Sequence, residues 1–266
     1  MSKKLLVIAA VVLFASSIQA VDLPAAAGLT IDEIINKIQS NQSKIKDMYA
    51  ETTTIITSNM VMPGQESKGP QKITQKSKMW TKGEDKSKIE MLSPTRQITI
   101  TNGDQMAIID PETGQKTVQD MSKIKGQMPG GKGQGSMNLD KAKEFFYFSA
   151  RKITAATAGG SDTYIITGVP KQQNRFMGKM EFYVDSEKWL PTKIMMYDPK
   201  NKPMSQTEIE YSSVEDGSAT AAEGSVIFVQ SKNKSVISSP MGKMEVGVEY
   251  GAVKINSGIS DDEFTI

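Results

Sequence analysis

Three stretches of the chain hold side chains whose types and spacing could do chemistry. Asp110 and Glu112 are two carboxylates one residue apart, the kind of pair that general acid–base catalysis uses. They flank Pro111 in the turn-forming run Asp110-Pro111-Glu112-Thr113-Gly114, where water solvates both. Asp261, Asp262 and Glu263 could offer oxygens to a cation, but calcium takes about six or more ligands and no further ones stand nearby. Gly126 through Lys132 fits G-x-x-x-x-G-K, the first part of a phosphate-binding loop. The hydroxyl residue that should follow to hold magnesium is Gly133, and Lys123 and Lys125 occupy the place of the buried strand that should lead in. This run reads as a surface loop. The 266 residues include no cysteine and no histidine, which excludes thiol chemistry, disulfides, serine–histidine catalysis and the usual zinc sites. With no set of nucleophile, base and orienting group, the expectation is a protein that is not an enzyme and uses no cofactor or metal.

The elements must then position a surface for binding. Residues 1–20 have the parts of a secretory signal: Lys3 and Lys4, an apolar run from Leu5 to Ala15, and a small-residue exit ending at Ala20. An apolar run of eleven residues is too short to span a bilayer. The expected organisation is a signal peptide over 1–20 and a single domain over 21–266, placed in the periplasm. The formal charge is +2, and without Lys3 and Lys4 the chain carries 30 charges of each sign, so nothing favours nucleic acid.

Thr30 and Glu33 form the pattern of a capping box, and Ile31, Ile34, Ile35, Ile38 and Ile45 follow at helical spacing, which predicts an amphipathic helix. From Tyr49 the β-branched run Thr52 to Thr57 favours a strand. Ile73, Gln75, Ser77 and Met79 alternate with Lys72, Thr74, Lys76 and Lys78, giving a mildly apolar face and a lysine face. Ile89 and Met91 repeat that pattern in the next strand. Asn102-Gly103 is a hairpin signal that pairs Gln97–Thr101 with Gln105–Asp110, and Lys116 to Val118 continues the meander. A second helix is predicted from Asn138, carrying Leu139, Ala142, Phe145, Phe146 and Phe148. Strands are then predicted at Tyr164–Thr167, Lys179–Val184, Pro191–Tyr197 and Met204–Tyr211, with a turn at Gly168-Val169-Pro170 and a polar loop over Ser212–Ser225. Four short strands follow: Val226–Val229, Ser235–Ser238, Met244–Tyr250 and Val253–Ile255. Two β halves without a linker favour one continuous sheet.

Sixteen of the seventeen methionines follow residue 20, and Met79, Met91, Met106, Met180, Met196 and Met244 fall at strand positions compatible with one face. Methionine is flexible and polarisable, so it lines surfaces that adapt to ligands, although it also fills ordinary cores.

The order of these features resembles the LolA/LolB-like periplasmic lipoprotein carriers and the wider group of outer membrane lipoprotein-sorting proteins. The residues that carry the resemblance are Met79-Trp80-Thr81-Lys82, Ile89-Glu90-Met91-Leu92-Ser93-Pro94, Asn102-Gly103-Asp104, the strand ending at Asp110-Pro111, and the ending Asp261-Asp262-Glu263-Phe264-Thr265-Ile266. It implies a mainly β (α+β) fold, an incomplete antiparallel β-barrel with helices covering its concave face. One departure stands out. Gly83 follows Trp80-Thr81-Lys82 where the carrier itself has an arginine that helps hold the helical lid.

The candidate ligand-binding residues, lining a cavity and its lid, are Ile34, Ile38, Ile73, Met79, Ile89, Met91, Met106, Ile108, Phe145, Phe146, Phe182, Ile194 and Met196. The expected function is a monomeric periplasmic carrier of lipid or lipoprotein acyl chains moving toward the outer membrane, with an inner-membrane donor complex and an outer-membrane acceptor as partners. The same fold could serve a sensor or scaffold that binds lipid or a protein partner without transport, and an envelope protein with a filled core is the third possibility.

Overall fold

The computed structural model describes residues 28–60, 69–122, 142–155 and 160–266. The expected signal segment, the Gly126–Lys132 run and the predicted helix start at Asn138 lie outside them. An α-helix, α1, spans Ile31–Gln42. Thr30 Oγ1 accepts from the Glu33 N–H at 3.3 Å and Glu33 Oε2 accepts from the Thr30 N–H at 2.7 Å, so both side chains satisfy backbone donors that the first turn leaves open.

All thirteen strands form one sheet. The first meander consists of β1 (Asp47–Ser58), β2 (Gln71–Lys82), β3 (Lys86–Ser93), β4 (Gln97–Asn102), β5 (Gln105–Ile109) and β6 (Lys116–Asp120). The second consists of β7 (Phe146–Ile153), β8 (Thr163–Pro170), β9 (Lys179–Asp185), β10 (Pro191–Tyr197), β11 (Pro203–Glu215), β12 (Val226–Ser239) and β13 (Gly242–Ile255). Their order is β6-β5-β4-β3-β2-β1-β13-β12-β11-β10-β9-β8-β7, every neighbour antiparallel. The sheet does not close into a barrel, since β6 and β7 are its two edges. A 3₁₀ turn, Asp261–Phe264, ends the chain.

The first and last strands meet in the middle of the sheet, and a buried polar clasp holds them there. Asp47 accepts from the backbone N–H groups of Ser257 (2.9 Å) and Gly258 (3.1 Å). Asn256, in left-handed backbone at φ 52°, accepts from the Lys46 N–H and donates to the Lys44 carbonyl and to Asp216. Buried polar groups are tolerable when they are satisfied in this way.

Several elements differ from the sequence reading. The aromatic run predicted to lie on a second helix is strand β7 from Phe146 onward. On a helix four consecutive aromatics would wrap more than half the circumference. On a strand they alternate, so Phe146 and Phe148 turn to the apolar cluster while Tyr147 is 52% exposed. The turn expected at Gly168-Val169-Pro170 is the end of β8, where Gly168 is paired with Phe148. A methyl group on Gly168 would stand 2.7 Å from the Phe148 ring, so the glycine makes room for it. The polar loop expected from Ser212 begins after Glu215, and the last four short strands are two long ones, β12 and β13.

Candidate functional site

The register joins both halves of the sheet into one face. A row of directly opposed residues runs Ala150, Ile166, Phe182, Ile194, Thr207, Ser235, Val246, Ile56 and Ile73, from β7 to β2. Paired residues in an antiparallel sheet project from the same side, so these nine share a face. Beyond β2 the same face continues through Met79, Ile89, Thr99 and Ile108, and through Ser77, Met91 and Gln97. All ten candidate residues that lie on strands are on it: Ile73, Met79, Ile89, Met91, Met106, Ile108, Phe146, Phe182, Ile194 and Met196. So are the six methionines singled out by position, with Met180 opposite Met196 and Met244 joined to that row through Ser205 and Ile237.

This face is almost without charge. Up to the register shift at Glu210/Tyr211, Lys152 on edge strand β7 is the charged residue among its described strand positions, and it is ion-paired with Asp162. The opposite face carries Lys72, Lys76, Lys78, Lys82, Lys86, Lys88 and Glu90 on β2 and β3, and Lys193, Glu208, Lys234 and Glu245 on β10 to β13. Each strand sorts its residues by alternation, and the register of twelve strand pairs adds the sorting up over the whole sheet.

The candidates fall into two groups. Ile34 and Ile38 of α1, with Ile35, are buried in a cluster with Phe146, Tyr164, Ile166, Met180, Phe182 and Val184. Phe145, Ile194 and Met196 pack against that cluster. The second group, on β2 to β5, has no helix packed on it among the described residues. Met79 there is buried, Ile89, Met91, Met106 and Ile108 are half-buried, and Ile73 at the far end of β2 is 43% exposed. Five strand spacings of about 4.8 Å separate β10 from β2, roughly 24 Å along the sheet. The structure thus puts the thirteen residues on one side of the sheet without gathering them into one cavity. Two shallow cavities, about 320 and 350 Å³, lie at Lys44, Asp216 and Asn256 and at Tyr49, Trp80 and Glu263, and neither is lined by a candidate residue.

The opposite face holds features that sequence reasoning missed. Phe264 is fully buried, its carbonyl accepts from Asn102, and the 3₁₀ turn is tied down by Lys82 and Lys86 to Asp261 and by Lys88 to Glu263. Hydrogen bonds from Lys82 and Lys86 hold the Asp261 carboxyl below the usual range. Lys82, in the motif behind the family resemblance, therefore anchors the C-terminus, and Gly83 sits in the β2–β3 turn at φ 60°. Glu181 is buried and accepts from Lys179, Tyr183 and Tyr197. Burial pushes its pKa up, but the donors, Lys179 first, outweigh burial and hold it below the ordinary value. Burial, then the bond to Glu181, push the Tyr197 hydroxyl far up. The only sequence signal for this network was the alternation Lys179, Glu181, Tyr183. Asp110 accepts from the backbone of Glu112 and Thr113, a turn-stabilising role, and no group of three or more metal-ligating side chains occurs among the described residues.

The fold is shared with solved structures. A LolA superfamily protein from Nitrosomonas europaea superposes with a TM-score of 0.52 at 12% identity, covering 90% of this chain and 99% of its own. The chain has a LolA-like fold. An outer membrane lipoprotein-sorting protein domain from Vibrio parahaemolyticus gives 0.54 at 14% identity, covering 88% and 96%. A DUF1329 family protein from Desulfovibrio piger gives 0.56 at 15%, covering 88% and 97%. None of the three is described as an enzyme. A model of a family described only as uncharacterized matches residues 137–265. No curated protein matches the chain in sequence. No helix among the described residues is long and apolar enough to cross a membrane.

Proposed function

We propose that this LolA-like protein is a periplasmic carrier that takes up acyl chains of lipids or lipoproteins on the uncharged face of its sheet, beneath helical segments, and delivers them toward the outer membrane. The observation that supports this reading is the segregation of charge, with an extended Met- and Ile-bearing face on one side and the lysines and glutamates on the other. Each methylene moved out of water contributes about 0.8 kcal/mol, so an acyl chain can be held there without a charged contact. Methionines at six positions of the face suit chains of varied shape. One solved relative is described as a lipoprotein-sorting domain, which agrees with the reading. Donor and acceptor complexes at the two membranes would be the partners, met by a monomer.

Native mass spectrometry of protein purified without detergent tests the binding step, and a co-purifying acyl ligand is the expected result. Accelerated transfer of a labelled lipid between vesicles tests transport. Binding without acceleration would favour a second reading, a scaffold or sensor whose face holds a lipid or protein partner in place. That reading draws support from the α1 end of the face, where Ile34 and Ile35 are already fully buried.

A further inference from the structure

The part of the uncharged face on β1 to β5, which has no helix packed on it among the described residues, is not uniformly apolar. Thr52, Thr54, Gln75, Ser77, Gln97 and Thr99 lie on it, all half-buried, beside Met79, Ile89, Met91, Met106 and Ile108. They are contiguous, with Thr52 opposite Ser77, Ser77 opposite Met91 and Met91 opposite Gln97, while Thr54 stands opposite Gln75. The Thr52 and Ser77 hydroxyls are 2.7 Å apart, and Gln97 Nε2 donates to Thr99 Oγ1 at 3.2 Å. This is a patch of neutral donors and acceptors set into an apolar strip. The α1 end has no such patch, being made of Phe146, Phe148, Ile166, Met180, Phe182 and Val184.

Such a patch can satisfy an ester, an amide or a hydroxyl, each of which needs one or two neutral hydrogen bonds. It cannot compensate an ionised carboxylate or phosphate, which would lose water against a face whose described positions on β1 to β5 carry no cation. Resting on the carrier reading above, we propose that the ligand of this face is a neutral acylglycerol, its glycerol ester seated on Thr52, Gln75 and Ser77 and its chain lying along Met79, Ile89 and Met91. Free fatty acids and anionic phospholipids are selected against.

Displacement of the uncharged dye N-phenylnaphthylamine from the full mature chain tests this, with monopalmitoylglycerol, palmitate and lysophosphatidic acid as competitors at about pH 8, where the carboxyl is ionised. The expected result is a roughly tenfold lower Kd for the monoacylglycerol than for palmitate, from the hydrogen bonds that Thr52 and Gln75 give the glycerol ester. The double variant Thr52→Val/Gln75→Leu is expected to bring the two within about threefold while still binding both, because the apolar contacts remain. Thr53→Val on the opposite face serves as the control and keeps the preference. Palmitate bound as tightly as the ester, or a preference that survives in the double variant, overturns the proposal and leaves the carrier reading standing. If no acyl competitor displaces the dye, both fall.

Discussion

The two ends of the uncharged face share a sheet and a register but differ in what lies against them. At β7 to β10, α1 drives three isoleucines into the Phe146–Phe182 cluster, and the face there is core. At β2 to β5 no helix is packed on it among the described residues, and the fully buried anchor, Phe264, sits on the opposite side. The lesson is that one alternating pattern can build two kinds of surface. Where a neighbouring element supplies apolar side chains, the face becomes structure. Where none is packed among the described residues, the same pattern stays half-buried.

That contrast can be broken most sharply by a charge placed at each end. Ile35→Asp is expected to destabilise the fold by about 4 kcal/mol or more, because the carboxylate enters an apolar cluster without a partner. Ile89→Asp, on the half-buried open end, is expected to cost under about 1.5 kcal/mol while weakening acyl-ligand binding by roughly an order of magnitude. Urea titration of both proteins, read beside dye displacement, checks the pair. Equal stability losses would show that the open end is core as well.

Phe264→Ala should cost about 3–4 kcal/mol by cavity formation on the opposite face. Its midpoint in urea should fall with little effect on dye binding, since the anchor does not touch the candidate face. Gly168→Ala is expected to cost about 1–3 kcal/mol, because the new methyl meets the Phe148 ring at 2.7 Å. The double variant with Phe148→Leu should recover part of that loss, which calorimetry can read as a partial return of Tm.

The smallest expected effect is on pH dependence. The Glu181 carboxyl is held below its ordinary value of 4.5 by Lys179 and two tyrosines. A depressed folded-state pKa contributes stability that is present above that ordinary value and lost as pH falls through the folded one. Glu181→Gln should therefore flatten the fall in stability on acidification below 4.5, measured by urea titration across that range.

Much of the first meander was legible. The capping box of α1, the β-branched start of β1, the alternation in β2 and the Asn102-Gly103 hairpin are local signals, and local physics acts on them directly. The side of the sheet on which each strand residue lies was also readable, since period-two alternation decides it once the strand is recognised. The misreadings have physical causes. Phe145 to Phe148 has no period that separates helix from strand, and pairing with β8 settled it. Ser212 to Glu215 has Val214 as its one apolar residue, and Gln230 to Lys234 is polar on both sides of its strand, so no alternation marked them as β, and cross-strand hydrogen bonding carried β11 and β12 through.

The sequence by itself determined the alternation, the turns and the helix cap, and with them an uncharged side and a charged side for each strand. The tertiary structure alone decided that β1 would pair with β13, that α1 would settle over β7 to β9 rather than over β2 to β5, and that Phe264 would close the opposite face. These choices join residues far apart in the chain, 210 positions in the case of Asp47 and Ser257. Short-range preferences carry no information about them, because they follow from which apolar surfaces and unsatisfied polar groups remain to be matched once the local elements have formed.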